Sequence, residues 1–215
     1  MIFSHNNQEW KDLNVGTGNG AFYYSNEIVK NIIPKIKTDR NWVTINVKDQ
    51  CFDHSIVFIH NNKEWTRYKW LSKYKDLILI CSSIKTLEHM IEMFPNFHCI
   101  YIPLSIDKKY VEKFKVEQKT KNTAYFGRIE KCPKELLENK TVDKIYNEER
   151  DSLLKKVAEY KTVYAIGRCA LEAKALKCKV ISHKGEYEHT TFKLLDNSEI
   201  VPELQRLLNE IDMVK

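Results

Sequence analysis

The stretch TVYAIGRCALEAKALKCKVIS, residues 162–182, carries the reading of the fold. Residues 162–166 are apolar and β-rich, Gly167 and Arg168 form a turn, residues 169–177 contain no helix breaker, and Val180 and Ile181 resume a short apolar run. That order predicts strand, tight turn, helix and strand, one αβ unit of a parallel sheet. A helix that starts just past a buried strand presents unpaired N–H groups and the positive end of its dipole, which suits a phosphate. Arg168 adds a bidentate donor for the same anion. Glu172, one turn on, comes within reach of a ribose hydroxyl pair. Any αβ unit shows a similar pattern, so the rest of the chain decides whether this one grips a nucleoside diphosphate.

Working outward, a second Gly-Arg pair stands in the same topological position. Residues 123–126 read as a short strand ending in Gly127-Arg128, with Lys131 and Lys134 in the loop or helix that follows. Open αβ sheets bind ligands outside the carboxyl ends of their strands, so two arginines and a lysine could converge on one diphosphate. The competing reading makes either arginine a surface partner for a nearby acid. Residues 147–160 form an amphipathic helix, and 199–214 a closing helix with Pro202 in its first turn.

The first half repeats the alternation. Residues 42–47, 55–59, 76–80 and 98–104 are apolar strands, with a helix over 84–94 capped by Ser82 or Ser83 and another over 63–74. Upstream, Gly16-Thr17-Gly18-Asn19-Gly20 precedes a helix over 21–36, and its glycines let the backbone approach a ligand. His60, just past a buried strand, sits where a catalytic or sugar-contacting side chain belongs, although a lone His there also serves as a hydrogen-bonded structural residue. The polar, lysine-rich stretch 105–121 reads as a linker, which divides the chain into domains at 1–108 and 120–215.

Composition excludes several classes. With 215 residues, 43% hydrophobic and 30% charged, the chain is a folded protein and not a disordered one. No apolar run approaches the ~20 residues of a membrane span. The start MIFSHNNQEW lacks a signal peptide's basic segment and apolar core, so a cytoplasmic protein is expected. The six cysteines show no CxxC pair and no metal-like spacing with the seven histidines, so reduced thiols and no metal site are expected. The net charge of +6 permits a polyanionic partner without requiring one. P-loop, G-x-S-x-G, H-E-x-x-H and complete G-x-G-x-x-G patterns are all missing from the sequence.

Taken in order, the Gly-rich loop, FIHNN (58–62), DLILICSS with HCIYIPLSID, AYFGRIEKCPK and GRCALEAKALKCKVIS resemble a reduced GT-B glycosyltransferase of the retaining, nucleotide-sugar-dependent kind. The resemblance implies two Rossmann-like α/β domains with parallel sheets, the C-terminal one shortened. It implies that Arg128 with Lys131 or Lys134 neutralises the donor diphosphate, that Gly167, Arg168 and Glu172 hold the nucleotide, and that Glu172 binds the ribose. His60 would approach the donor sugar and serve catalysis, and Gly16, Gly18 and Gly20 would shape an acceptor or phosphate loop. No cofactor or divalent metal is implied, the nucleotide-sugar being a substrate. Phage DNA-modifying glucosyltransferases share this general architecture, so modified DNA and glycans are the acceptor classes to consider.

Two departures qualify the likeness. Tyr164 stands where the family often has a further Glu, eight residues before Glu172, and the stretch between Arg128 and Thr162 is short. These favour an alternative, a non-catalytic nucleotide or nucleotide-sugar binding protein on the same scaffold. An αβ interaction protein with no small ligand is the third reading, which the doubled Gly-Arg placement opposes.

Overall fold

Short apolar runs alternating with amphipathic segments produce two sheets, one in each of two units. The structure is a computed structural model that describes residues 2–4, 8–9, 20–44, 51–59, 65–184 and 193–214. Contacts assign the described residues within 1–13, 21–103 and 197–215 to a first unit and those within 14–20 and 104–196 to a second. Both are Rossmann-like α/β units built on parallel strands.

In the first unit the strands are β1 (Ile2–Ser4), β2 (Gln8–Glu9), β3 (Asn41–Val43), β4 (Ser55–Ile59), β5 (Leu77–Cys81) and β6 (His98–Tyr101). The sheet order is β2-β1-β3-β4-β5-β6, parallel throughout except where β2 pairs antiparallel to β1 at the edge. Every residue of β4 and β5 is buried, as expected of central parallel strands covered on both faces. On one face Val57, Ile59, Leu77, Leu79 and Cys81 pack with Tyr68, Leu71, Met90 and Phe94. Phe58 points the other way, stacked on Trp42 and edge-on to Tyr24.

Helix α1 (Gly20–Glu27) continues through a π turn, Ile28–Ile32, and a 3-10 turn, Ile33–Lys35, where Pro34 ends the run. Residues Trp65–Lys73 form a 3-10 helix. Helix α2 (Ile84–Met93) is capped by Ser83, whose Oγ accepts from Thr86 N at 3.1 Å.

The second unit comprises α3 (Lys108–Glu112), β7 (Lys121–Phe126), α4 (Lys134–Glu138), β8 (Asp143–Ile145), α5 (Arg150–Ala158), β9 (Tyr160–Tyr164), α6 (Gly167–Ala175) and β10 (Lys179–Ile181). Its sheet order is β10-β9-β7-β8, all parallel. Ala124, Phe126, Val163 and Ala165 face a core shared with Leu154, Val157, Ala170 and Leu171 of α5 and α6. The stretch expected as a linker, 105–121, is part of this unit. Ile106 and Val111 are fully buried, Asp107 caps α3, and Ile106 bridges to Asp196. Ile106 and Val111, with Tyr110 and Phe114 packed beside them, dock a segment whose composition is otherwise that of a linker.

Helix α7 (Asn197–Met213) belongs to the first unit and not, as the expected domain 120–215 has it, to the second. Ile200, Leu204, Leu208 and Ile211 make its buried stripe. Gln205 exchanges hydrogen bonds with Lys37 N and O, and Asn197 donates to Glu27. Arg40, its side chain 0% exposed, donates from Nε and Nη2 to Asp212 Oδ1 and from Nη1 and Nη2 to Asp76 O and Oδ1. Asp76 Oδ2 in turn pairs with His54 Nδ1 at 2.6 Å.

Replacing Arg40 by Met leaves two carboxylates without this partner. Because Asp76 and Asp212 stay about a third exposed, the loss falls below that of a wholly buried pair, at about 2–4 kcal/mol. The apparent melting temperature of R40M, followed by circular dichroism, should drop by roughly 5–12 °C. A drop under one degree would show that α7 is held by its apolar stripe alone.

Candidate functional site

Topology picks out one place in the second unit. In the order β8-β7-β9-β10 the chain leaves β7 toward β8 and leaves β9 toward β10, so the connections diverge between the neighbours β7 and β9. That divergence is a topological switch point, and open αβ sheets bind ligands outside the strands' carboxyl ends there. The two Gly-Arg pairs occupy those two ends.

After β7, Gly127 is set by close packing. A Cβ at this position would lie 2.9 Å from Tyr125 Oη, and that hydroxyl donates to Arg128 O at 2.7 Å. Tyr125 thus pins the turn that carries Arg128, whose side chain is exposed. Lys131 ends a 3-10 turn and is exposed. Lys134 begins α4 and pairs with Glu138 at 3.7 Å on an open surface, an arrangement worth little to stability.

After β9, Gly167 starts α6 with φ +58, a left-handed conformation that favours glycine, and an added Cβ would meet nothing within 4 Å. Ile166 occupies the N-cap position, so no side-chain cap bond closes the first turn. Arg168 and Glu172, one turn apart, are both buried, and Arg168 Nε donates to Glu172 Oε1 at 2.9 Å. Arg150 Nη2, from α5, donates to the same oxygen at 3.1 Å. Arg150 also lies over the Tyr110 ring, 5.0 Å from its centroid, and the Tyr110 hydroxyl bonds to Asp151. At the far end, Lys119 Nζ donates to Ala158 O and Leu176 O, the last carbonyls of α5 and α6. A cation there complements both dipoles.

The titratable groups beside the two turns are perturbed by burial and by one another's charges. The thiol of Cys169, in the first turn of α6, is pushed up to about 12 by burial and then by the Glu172 carboxylate, while the Arg168 and Arg128 guanidiniums pull it down. The charge of Arg128, from the turn after β7, thus reaches the first turn of α6. The Tyr125 phenol is raised by burial and then by Cys132, Cys169 and Glu130.

Of the residues read from sequence, the structure sets Arg128 in the turn after β7 and Gly167, Arg168 and Glu172 on α6 after β9, with Arg168 paired to Glu172. It leaves Lys134 in a surface ion pair, and gives Glu172 Oε1 to two guanidiniums, so a ribose contact would have to use its other oxygen. Gly20 opens α1, whereas Gly16, Gly18 and His60 lie outside the described residues. Sequence reasoning missed Arg150 and Tyr125. Arg150 carried no local signal, because a basic residue at the start of a helix reads as solvated.

Among the described residues, no group of three or more His, Cys, Asp or Glu side chains is arranged to hold a metal ion, and no helix is long and apolar enough to cross a membrane. No protein-family model, curated protein or solved structure matches the chain.

Glu172→Gln removes the charge that Arg150 and Arg168 share, with all three side chains no more than 16% exposed. Because the amide oxygen can still accept a hydrogen bond, the expected cost is about 2–4 kcal/mol. It should read out as a lower urea midpoint for the second unit, and an unchanged midpoint would refute the shared-carboxylate arrangement.

Proposed function

We propose that the second unit binds the diphosphate of a nucleotide-sugar at the switch point and that the chain is a GT-B-like glycosyltransferase. It would transfer the sugar to a hydroxyl acceptor. The observation that carries the proposal is the placement of Gly127-Arg128 and Gly167-Arg168 at the carboxyl ends of the two strands that flank the switch. Arg168 adds a physical argument. A cation in the first turn of a helix sits at the wrong end of the dipole, a cost of about 0.3–1 kcal/mol, and it shares the cluster with two further guanidiniums. Stability alone would favour an acid there, whereas an anionic ligand turns the same charges into binding energy.

In this reading Arg128, Arg168 and the first turn of α6 stabilise the charge that develops on the leaving diphosphate. Glu172 positions Arg168 and Arg150 and keeps them from repelling one another out of line. His60 remains the proposed contact to the donor sugar. The second reading, a binding protein without turnover, draws on Tyr164, half-buried on β9 where the family often has an acid.

Thermal-shift measurements with UDP, GDP, ADP and their sugar conjugates test the proposal, followed by an assay for released diphosphate. A ligand at a hundredfold excess over its dissociation constant stabilises by about 2.7 kcal/mol, a rise of several degrees. Arg128→Ala should weaken binding about tenfold or more at an unchanged melting temperature, because its side chain is exposed. Arg168→Ala should lose both affinity and stability. Binding with transfer or slow hydrolysis supports the enzyme, binding without either supports the second reading, and no shift with any nucleotide sinks both.

A further inference from the structure

Charge is divided unequally between the two units. The first holds 14 Lys and Arg against 14 Asp and Glu and the second 21 against 15, so the whole net charge of +6 falls on the second. Within that unit, lysines gather at the amino-terminal edge of the sheet, opposite the Gly-Arg turns. Lys121 opens β7, Lys161 is the second residue of β9, Lys179 opens β10, and Lys177 stands between α6 and β10. Helix α5 runs back to the same edge, and its last turn adds Lys155. Lys121 pairs with Glu159 at 2.6 Å. Lys155, Lys161, Lys177 and Lys179 are exposed and form no ion pair among the described residues. The charge of Lys177 reaches the end of α3, where the Glu112 carboxyl is held below its ordinary range. Its hydrogen bond from Lys115 comes first, and then, against burial, the charges of Lys115, Lys108 and Lys177. A cation at a helix C-terminus complements the dipole, which accounts for Lys119 but not for lysines at strand starts. Lys177 has φ +63, in the left-handed region where glycine is the usual residue. Stability alone favours glycine there, and like charges gathered on one edge repel, so the fold explains neither.

We propose that this lysine edge docks double-stranded nucleic acid through its phosphates, without reading base sequence. A duplex presents closely spaced phosphates, and ammonium groups that neutralise them release condensed counterions. Lysine is a point charge and not a planar fork, which suits phosphate more than base edges. A single strand is held by stacking its bases on exposed aromatic rings. Here Phe114 and Tyr160, the aromatic rings on the segments that form the edge, are packed into the core, and the Lys121 ammonium lies over Tyr160. A bilayer calls for apolar side chains beside the lysines, and these segments expose one large apolar side chain, Val116. Of the nearby acids, Glu112 and Glu159 are paired and Asp143 accepts from the Tyr160 hydroxyl, which leaves Glu117 as the opposing charge. The edge lies across the sheet from the Gly-Arg turns, so the proposal does not rest on the nucleotide reading.

The test is fluorescence anisotropy of the full chain with two DNA duplexes of unrelated sequence and one single strand, from about 50 to 200 mM NaCl. Sedimentation with phosphatidylserine vesicles runs beside it. One variant combines Lys161→Gln, Lys177→Gly and Lys179→Gln. A control removes the same charge from exposed lysines of the first unit, by Lys69→Gln, Lys73→Gln and Lys75→Gln. The wild type should bind both duplexes alike, within about threefold, and more tightly than the single strand. The edge variant should lose about tenfold or more at low salt, with a salt slope shallower by about two to three, while the control stays within about threefold. Lys177→Gly alone should weaken duplex binding while keeping or raising the melting temperature, whereas a merely structural lysine would lower it. Equal losses in the two triple variants would reduce the effect to net charge and overturn the proposal. So would wild-type affinity in the edge variant, tighter binding to the single strand, vesicle binding without duplex binding, or no duplex binding at low salt. None of these probes is a free nucleotide, so failure here leaves the nucleotide reading standing, and failure of that reading leaves this test intact.

Discussion

Two guanidinium groups meet one carboxylate oxygen at the start of α6, and the carboxyl edge of the second sheet depends on that contact. Glu172 Oε1 accepts from Arg168 at 2.9 Å and from Arg150 at 3.1 Å. Without the carboxylate, two like charges a few ångström apart at an effective dielectric near 20 would repel by roughly 3 kcal/mol, and the helix dipole would add to the penalty. With it, α5 and α6 are tied at their N-terminal ends, while Lys119 ties the last carbonyls of both. The two helices are thus clamped at both ends across a core of Ala, Leu and Val. The rigidity of that clamp is what fixes Arg168 relative to β9.

The first unit uses a buried arginine differently. Arg40 joins the residue before β5 to the last turn of α7, and His54 and Asp39 extend the polar network at exposed positions. Asp39 is held below its usual carboxylate range, chiefly by its hydrogen bond to His54. The network lies at the amino-terminal ends of the strands it serves, since Arg40, His54 and Asp76 each precede a strand. That is the edge of a parallel sheet that serves stability, in contrast to the carboxyl edge where Gly127-Arg128 and Gly167-Arg168 emerge.

Much of the alternation was legible in the residues. SIVFI at 55–59 forms β4 with the expected bounds, and the helix at 84 begins after a serine cap as read. The end of α6 was harder to see. It closes with Lys177 in a left-handed conformation, Lys177 N bonded to Lys174 O and Cys178 N to Ala173 O. This is a Schellman motif in which glycine is the usual residue, so no punctuation marked it. Strand β8 has three residues and only one of them buried, too few for a period to register. Within the site, the Gly-Arg pairs were visible because each is a local signal. Arg150 was not, because it joins through a pairing across 22 positions of sequence with a partner that only the sheet order brings near.

The central claim is that the two Gly-Arg turns act as one anion site. Hydrogen–deuterium exchange of the full chain, with and without the nucleoside diphosphate that binds most tightly, tests it directly. The account predicts slowed exchange in both residues 127–129 and residues 167–170, because a shared diphosphate orders both backbones at once. Protection of only one turn, or protection confined to the first unit, would contradict it.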